Sequence, residues 1–158
     1  MEEISTWIDV AAPGMVVWAV LTDFGSYPEW NPFITRIEGV AAPGQRLRVR
    51  IAPPGSRAMT FRPRVLVADP GRELRWLGRL LVPGLCDGEH SITLTETGPA
   101  ACRVTQAEAF RGALVPLLRR SLGRTTEGFR LMNEALRQRG EAAIGGSAGA
   151  GGAGGAQS

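Results

Sequence analysis

The sequence predicts a single α+β domain in which one long C-terminal helix covers the apolar face of an antiparallel sheet. Residues 3–10 alternate between apolar and polar side chains, which is the pattern of a half-buried strand. Residues 33–110 break into short strand-like runs separated by turn residues. Residues 113–139 carry apolar side chains at alternating steps of three and four, the stripe of an amphipathic helix. A helix of this kind has to bury its stripe against the sheet.

The N-terminal region predicts one strand followed by two short helices. The first strand places Ile4, Ile8 and Val10 on one face, and Pro13 ends it. Residues 13–21 have helical spacing of their valines, with proline in the first turn. Residues 23–32 are too rich in glycine, proline and asparagine for more than one very short helix.

The middle of the chain predicts a meander of about six strands, and so about seven strands in all. Turn signals fall at residues 39–44, 53–56, 69–71, 83–88 and 97–101. Arginines at positions 46, 48 and 50 alternate with apolar residues, as those at 62 and 64 do, so we expect them on the solvated face of the sheet.

The long helix is predicted over residues 113–139. Pro116 lies in its first turn, where proline is tolerated, while Gly123 and Gly128 indicate a bend or a close contact. Residues 140–158 are almost entirely small, and such a segment cannot bury apolar surface. We therefore expect a folded domain at residues 1–139 and a disordered Gly/Ala-rich tail at 140–158.

Composition and charge exclude several classes of function. The 158 residues, 44% of them hydrophobic, are enough for one domain with a core. All the basic residues are arginines and the net charge is +3, yet no nucleic-acid-binding motif accompanies them, so we expect no nucleic-acid partner. Glycine-rich phosphate loops are absent, and Cys86 and Cys102 match no metal spacing. We expect no cofactor and no metal.

Localisation is predicted as cytoplasmic. No signal-peptide pattern opens the sequence, and no apolar run approaches the roughly 20 residues needed to span a bilayer. The two cysteines are too sparse for a disulfide framework, so we expect both to be reduced. The oligomeric state is left open by the sequence.

Three segments carry a resemblance to a known superfamily. They are VVWAVLTDFGSYPEWNPFI, ELRWLGRLLVPGLCDGEHSITLTE and VTQAEAFRGALVPLL. Together they resemble the START-related, birch-pollen-allergen-like superfamily (SRPBCC), and within it the bacterial polyketide cyclase/dehydrase-like group, over about residues 2–138. The resemblance implies a helix-grip fold, a curved antiparallel sheet around the C-terminal helix, with a hydrophobic cavity between them for a lipid, polyketide or similar apolar molecule.

Strand alternation and helix spacing indicate which side chains would face this cavity. Packing in an ordinary core would also explain each apolar member of the set. The ligand-binding residues expected from this reasoning are Phe61, Trp76, Ile92, Leu94, Gln106, Phe110, Leu118, Leu122, Phe129 and Met132. Tyr27 and Trp30 are added as residues that could guard the cavity mouth, the alternative being a local aromatic cluster.

A polar pair is predicted from hairpin register. A five-residue loop at 97–101 pairs Glu96 with Cys102, and it then places His90, the only histidine, directly across from Glu108. Three readings of the pair remain open: a mutually satisfied structural pair, a ligand contact, or an acid–base couple in a cyclisation or dehydration.

Three functions are compatible with these observations. The leading one is binding or carriage of a hydrophobic small molecule. The second is a polyketide aromatase/cyclase-type enzyme using His90 and Glu108, and the third is a co-chaperone or partner-binding module, for which an exposed Trp7 is the only sequence indication.

Overall fold

The computed structural model describes residues 1–80 and 82–149, and these form eight strands and three α-helices. The elements are β1 (Glu2–Val10), α1 (Gly14–Thr22), α2 (Tyr27–Trp30), β2 (Ile34–Glu38), β3 (Arg48–Ile51), β4 (Met59–Phe61), β5 (Arg64–Asp69), β6 (Glu73–Leu80), β7 (Cys86–Gly98), β8 (Ala101–Arg111) and α3 (Val115–Gly149), with a 3-10 turn at Phe24–Ser26. The predicted α+β helix-grip architecture, with two short helices after the first strand, is confirmed.

The curved antiparallel sheet has two parts, in the orders β1-β8-β7-β6-β5 and β2-β3-β4. Eight strands are described rather than about seven, because the run predicted as one strand around residues 61–65 is divided at Pro63. Proline has no N–H to donate to a ladder, so pairing is interrupted there. A bridge between Arg46 and Arg64 links the two parts.

The core lies between the concave face of the sheet and α3. The arginine alternation is confirmed in β3, where Val49 is buried while Arg48 and Arg50 are exposed. On α3, Phe129 and Met132 are fully buried in the predicted stripe. The apolar faces of both elements therefore remove each other from water, which is the main favourable contribution to folding.

Gly128 allows α3 to approach Phe33 closely. A methyl group at this glycine would lie 2.3 Å from Cδ2 of Phe33, far inside van der Waals contact. The close contact predicted for Gly128 is thus present, whereas a methyl group at Gly123 would meet nothing within 4 Å.

α3 does not end at Arg139, where the apolar pattern predicted its end, but continues to Gly149. Gly140 is buried, and a methyl group there would come within 3.7 Å of both Val10 and Val17. Glu141 Oε1 accepts a hydrogen bond from the Ala11 N–H at 3.0 Å. These contacts hold the first part of the expected tail against the domain, and residues 150–158 lie outside the described residues.

Candidate functional site

The hairpin between β7 and β8 brings the predicted polar pair together. Its ladder pairs Glu96 with Cys102, Ile92 with Gln106 and His90 with Glu108, which is the predicted register. Because one step of slippage would turn either side chain to the other face, this register is what places both on the concave side.

A cavity of about 300 Å³ lies in front of this pair, between the sheet and the N-terminal half of α3. Its walls include the aromatic rings of Phe33, Phe61, Trp76 and Phe110 together with aliphatic side chains of α3. The complete lining is Phe33, Ile34, Ile51, Pro53, Ser56, Arg57, Met59, Thr60, Phe61, Trp76, Gly78, Arg79, Cys86, Gly88, His90, Glu108, Phe110, Leu118, Ser121, Leu122 and Thr125. Apolar walls with a few convergent polar groups are typical of small-molecule sites.

His90 is held rigidly in the cavity wall. The Trp76 ring stacks on it, with centroids 4.9 Å apart and planes 20° from parallel, and Phe129 packs edge-on at 5.0 Å. Its side chain is 4% exposed, and its Nε2 has no hydrogen-bond partner among the described residues. A buried polar atom without a partner costs free energy, and His90 is one of the residues that line the cavity.

Glu108 faces His90, but the two do not share a hydrogen bond. The distance from His90 Nδ1 to Glu108 Oε2 is 3.8 Å, which is within range of an ion pair and too long for a hydrogen bond. The two side chains are close enough for an ion pair, and the choice between a structural pair, a ligand contact and an acid–base couple stays a prediction.

The predicted ligand-binding residues divide into two groups. The first group lines the cavity beside His90 and Glu108 and consists of Phe61, Trp76, Phe110, Leu118 and Leu122. We call the region around this cavity the open half of the layer between sheet and helix. The remaining predicted residues lie outside the cavity lining; they are Tyr27, Trp30, Ile92, Leu94, Gln106, Phe129 and Met132.

Four of the residues outside the lining are buried in the core. With Thr6 and Asn133 they define what we call the packed half of the layer. Its members are Thr6, Ile92, Leu94 and Gln106 on the sheet and Met132 and Asn133 on α3. Gln106 Nε2 donates to Asn133 Oδ1 at 2.6 Å. Asn133 Nδ2 in turn donates to Thr6 Oγ1 at 3.0 Å, so helix and sheet are joined by a buried series of hydrogen bonds.

Tyr27 and Trp30 belong to an aromatic cluster away from the mouth, which was the alternative reading. Tyr27 packs edge-on against Phe24 and Trp30, with centroids 5.7 and 5.0 Å away. Its hydroxyl donates to the Leu21 carbonyl at 2.7 Å, and burial raises the pKa of this hydroxyl far above its usual range. These rings close one end of the fold.

Several site features were missed from the sequence. Gly78 and Gly88 lie opposite each other in β6 and β7 and both line the cavity. Glycine inside a strand was an available signal, because it commonly marks the close approach of another group. Asn133 and Phe33 had no signal beyond ordinary spacing.

Cys86 lines the cavity but is a poor nucleophile. Burial, and then the nearby Glu108 and Asp87 carboxylates, raise the pKa of its thiol. Since the thiolate is the reactive form, covalent catalysis at Cys86 is disfavoured. Within residues 1–80 and 82–149, no cluster of three or more His, Cys, Asp or Glu side chains could hold a metal ion.

Two further features lie on the surface, a groove and an exposed tryptophan. An open groove of about 490 Å³ runs between α1 and the C-terminal part of α3, with Met15 and Ile144 on its walls. Trp7 is 59% exposed on β1, as the partner-binding reading required, although Arg103 lies over its ring at 4.0 Å and is paired with Asp9. No helix in the described part of the chain is long and apolar enough to cross a membrane.

A helix-grip fold around a mostly apolar cavity is the arrangement that the sequence resemblance implied. The family described as "Polyketide cyclase / dehydrase and lipid transport" matches residues 1–141, and the chain belongs to this family. No protein with a curated function matches the sequence.

Solved structures share the fold at low sequence identity. A START superfamily protein from Mycobacterium smegmatis is 21% identical, with a TM-score of 0.67 over 88% of this chain and 97% of that one. Norcoclaurine synthase from Thalictrum flavum, in complex with dopamine and hydroxybenzaldehyde, is 15% identical, with a TM-score of 0.66 over 87% and 84%. The di-domain ARO/CYC BexL of the BE-7585A biosynthetic pathway is 16% identical, with a TM-score of 0.67, and the match covers 88% of this chain and 46% of BexL.

Proposed function

We propose that the protein binds a hydrophobic small molecule in the cavity of the open half. The observation that carries this proposal is the cavity of about 300 Å³, whose wall is mainly apolar and includes the side chains of His90 and Glu108. A ligand that fills the cavity removes apolar surface from water.

The size of the cavity limits the ligand. A volume of about 300 Å³ lies at the lower end of the range for small-molecule pockets. We therefore propose a compact ligand, such as a small ring system or a short branched chain, rather than a long acyl chain. The related structures support a ligand-binding fold without identifying the ligand.

A neutral fluorescent hydrocarbon, 1-ethylnaphthalene, tests the proposal. At 100 times its dissociation constant it should raise the free energy of unfolding by about 2.7 kcal/mol, because it binds only the folded protein. Thermal or urea denaturation with and without the probe measures this increase. Absence of stabilisation at saturating probe would refute a ligand-accepting cavity.

A pair of variants on α3 locates the binding site. Leu122→Trp places a large ring in the cavity wall and should weaken probe binding at least tenfold. Leu117→Trp is the matched control, because Leu117 lies on the same helix, is 78% exposed and does not line the cavity. Equal affinities in the two variants would place the probe elsewhere.

A cyclase-type enzyme is the second candidate, favoured by the position of two ionisable side chains 3.8 Å apart inside the cavity. A histidine beside a carboxylate can transfer protons during cyclisation or dehydration of a poly-β-keto chain. Turnover of a poly-β-keto thioester, followed by mass spectrometry, tests this. Loss of turnover with retained affinity in His90→Gln would favour catalysis, and absence of turnover in the wild type would leave binding alone.

A further inference from the structure

Gly78 and Gly88 form a side-chain-free area in the sheet, which we call the glycine floor. They are paired across β6 and β7 and both line the cavity. A methyl group on Gly88 would lie 2.6 Å from Glu108 Oε1 and 3.6 Å from the Phe110 ring. A methyl group on Gly78 would lie 3.1 Å from the Phe61 ring. Because neither glycine has a Cβ, the Glu108 carboxylate lies against Gly88 and the Phe61 ring against Gly78, so these side chains cover the glycine floor.

The Glu108 carboxylate is a hydrogen-bond acceptor that receives no hydrogen bond from the described residues. Its side chain is 18% exposed, and its one polar contact among the described residues is His90 Nδ1 at 3.8 Å. A carboxylate accepts hydrogen bonds and cannot donate them, so only a hydrogen-bond donor satisfies it. His90, which lines the same cavity, is a second polar residue there, and its buried Nε2 has no hydrogen-bond partner among the described residues.

Building on the proposed function, we propose that the ligand carries a hydrogen-bond-donating head group, a hydroxyl or an ammonium, that donates to the Glu108 carboxylate where this lies over the glycine floor. Its apolar body then packs against Phe61 and Phe110. A carboxylate head group would meet like charge at Glu108, and a head group with acceptors alone would leave the carboxylate unpartnered.

The cavity mouth carries the opposite charge, which the test has to include. Arg57 and Arg79 also line the cavity, both are exposed, and Arg79 faces Asp87 at 3.8 Å. Exposed guanidinium groups are screened by water, so their effect on a buried head group is weak compared with that of a partly buried carboxylate.

Four probes on one ring system separate the head groups: 1-naphthylmethanol, 1-naphthylmethylamine, 1-ethylnaphthalene and 1-naphthoic acid. Fluorescence titration gives their dissociation constants. We expect the alcohol, the amine or both to bind at least about tenfold more tightly than ethylnaphthalene, and the acid most weakly. The better of the two donors identifies the head group.

The outcomes separate this inference from the proposed function. If no probe binds, the proposed function fails and the inference fails with it. If ethylnaphthalene binds as tightly as both donor probes, or the acid binds most tightly, the cavity is a ligand site but the donor head group is refuted.

Two variants test the role of the floor directly. Glu108→Gln removes the charge and should reduce the donor advantage, measured as the ratio of the ethylnaphthalene and donor dissociation constants in the same variant, several-fold, with Glu3→Gln on the exposed face of β1 as its control. Gly88→Ala puts a methyl group where Glu108 Oε1 lies and should also remove the advantage. Gly123→Ala, with nothing within 4 Å, is the matched glycine control. Donor preference that survives both Glu108→Gln and Gly88→Ala would overturn the assignment.

Discussion

The packed half and the open half of the layer beneath α3 treat polar side chains in opposite ways. In the packed half, hydrogen bonds connect Gln106, Asn133 and Thr6 in series, and of the polar atoms in these three side chains Gln106 Oε1 is the one without a partner. In the open half, His90 and Glu108 face a cavity without a hydrogen bond between them. Gln106 and Glu108 are successive inward positions of the same strand, so one hairpin supplies both a structural residue and a residue available to a ligand.

The difference arises from what lies opposite each position. Asn133 on α3 reaches Gln106 and fills the packed half, whereas the Glu108 carboxylate lies against Gly88 in β7 and lines the cavity. Space and unpaired polarity in one place are typical of binding sites, while full packing and paired polarity stabilise the fold.

The largest expected effect is a difference between the two halves in how much a truncated side chain lowers the free energy of unfolding. Met132→Ala should lower the free energy of unfolding by roughly 2–5 kcal/mol, because it leaves a cavity in a filled region. Leu118→Ala, on the same helix but at the cavity wall, should cost about 1 kcal/mol or less, because its side chain is only partly buried. Urea denaturation measures both, and equal losses would abolish the distinction.

The next effect compares the polar groups. Asn133→Leu should cost about 1–3 kcal/mol for each of the two groups that lose a partner, Gln106 Nε2 and Thr6 Oγ1. His90→Phe preserves ring packing and removes an atom that has no partner, so its stability should stay within about 1 kcal/mol of the wild type. A larger loss for His90→Phe than for Asn133→Leu would show that His90 is the structural residue.

A smaller effect concerns the extent of α3. Truncation after Arg139 removes the acceptor that Glu141 gives to the Ala11 N–H, together with the packing of Gly140. We expect it to lower stability by about 1 kcal/mol relative to truncation after Gly149. Indistinguishable melting curves would return the domain boundary to residue 139, as the sequence pattern predicted.

The smallest effect is kinetic and reports on access to the two halves. Burial raises the thiol pKa of both Cys86 and Cys102, so alkylation by iodoacetamide should be slow near pH 8 and should accelerate as the pH rises and thiolate forms. Cys86 lines the cavity, whereas Cys102 is fully buried in the core. Cys86 should be alkylated first, and 1-ethylnaphthalene should slow the alkylation of Cys86 but not that of Cys102. Peptide mapping by mass spectrometry would show equal rates if the cavity were closed to small molecules.

Much of the fold follows from sequence pattern. Period-two alternation identified β1 and the strands of the meander, and the helical stripe identified α3. Residue alternation and loop length also predicted the pairing of His90 with Glu108, because a hairpin register follows from its turn. The extension of α3 beyond Arg139 was not predictable, since its alanines and glycines carry no periodic signal and the contacts of Gly140 and Glu141 are with residues remote in sequence.

The division between cavity and core was beyond sequence reasoning. Alternation places Ile92, Gln106 and Glu108 on one face but does not say which of them meets a partner across the layer. That depends on the distance and direction of α3, and so on side chains remote in sequence such as Asn133 and Phe33.

The central claim, that the open half receives a small apolar molecule at His90, is tested most directly by NMR of the histidine ring. The chain has one histidine, so its ring resonances are unambiguous. On titration with 1-ethylnaphthalene they should shift saturably, with the dissociation constant obtained by fluorescence, because aromatic rings in contact perturb each other's resonances. Ring resonances that stay unmoved while the probe stabilises the protein would place the ligand elsewhere and contradict the account.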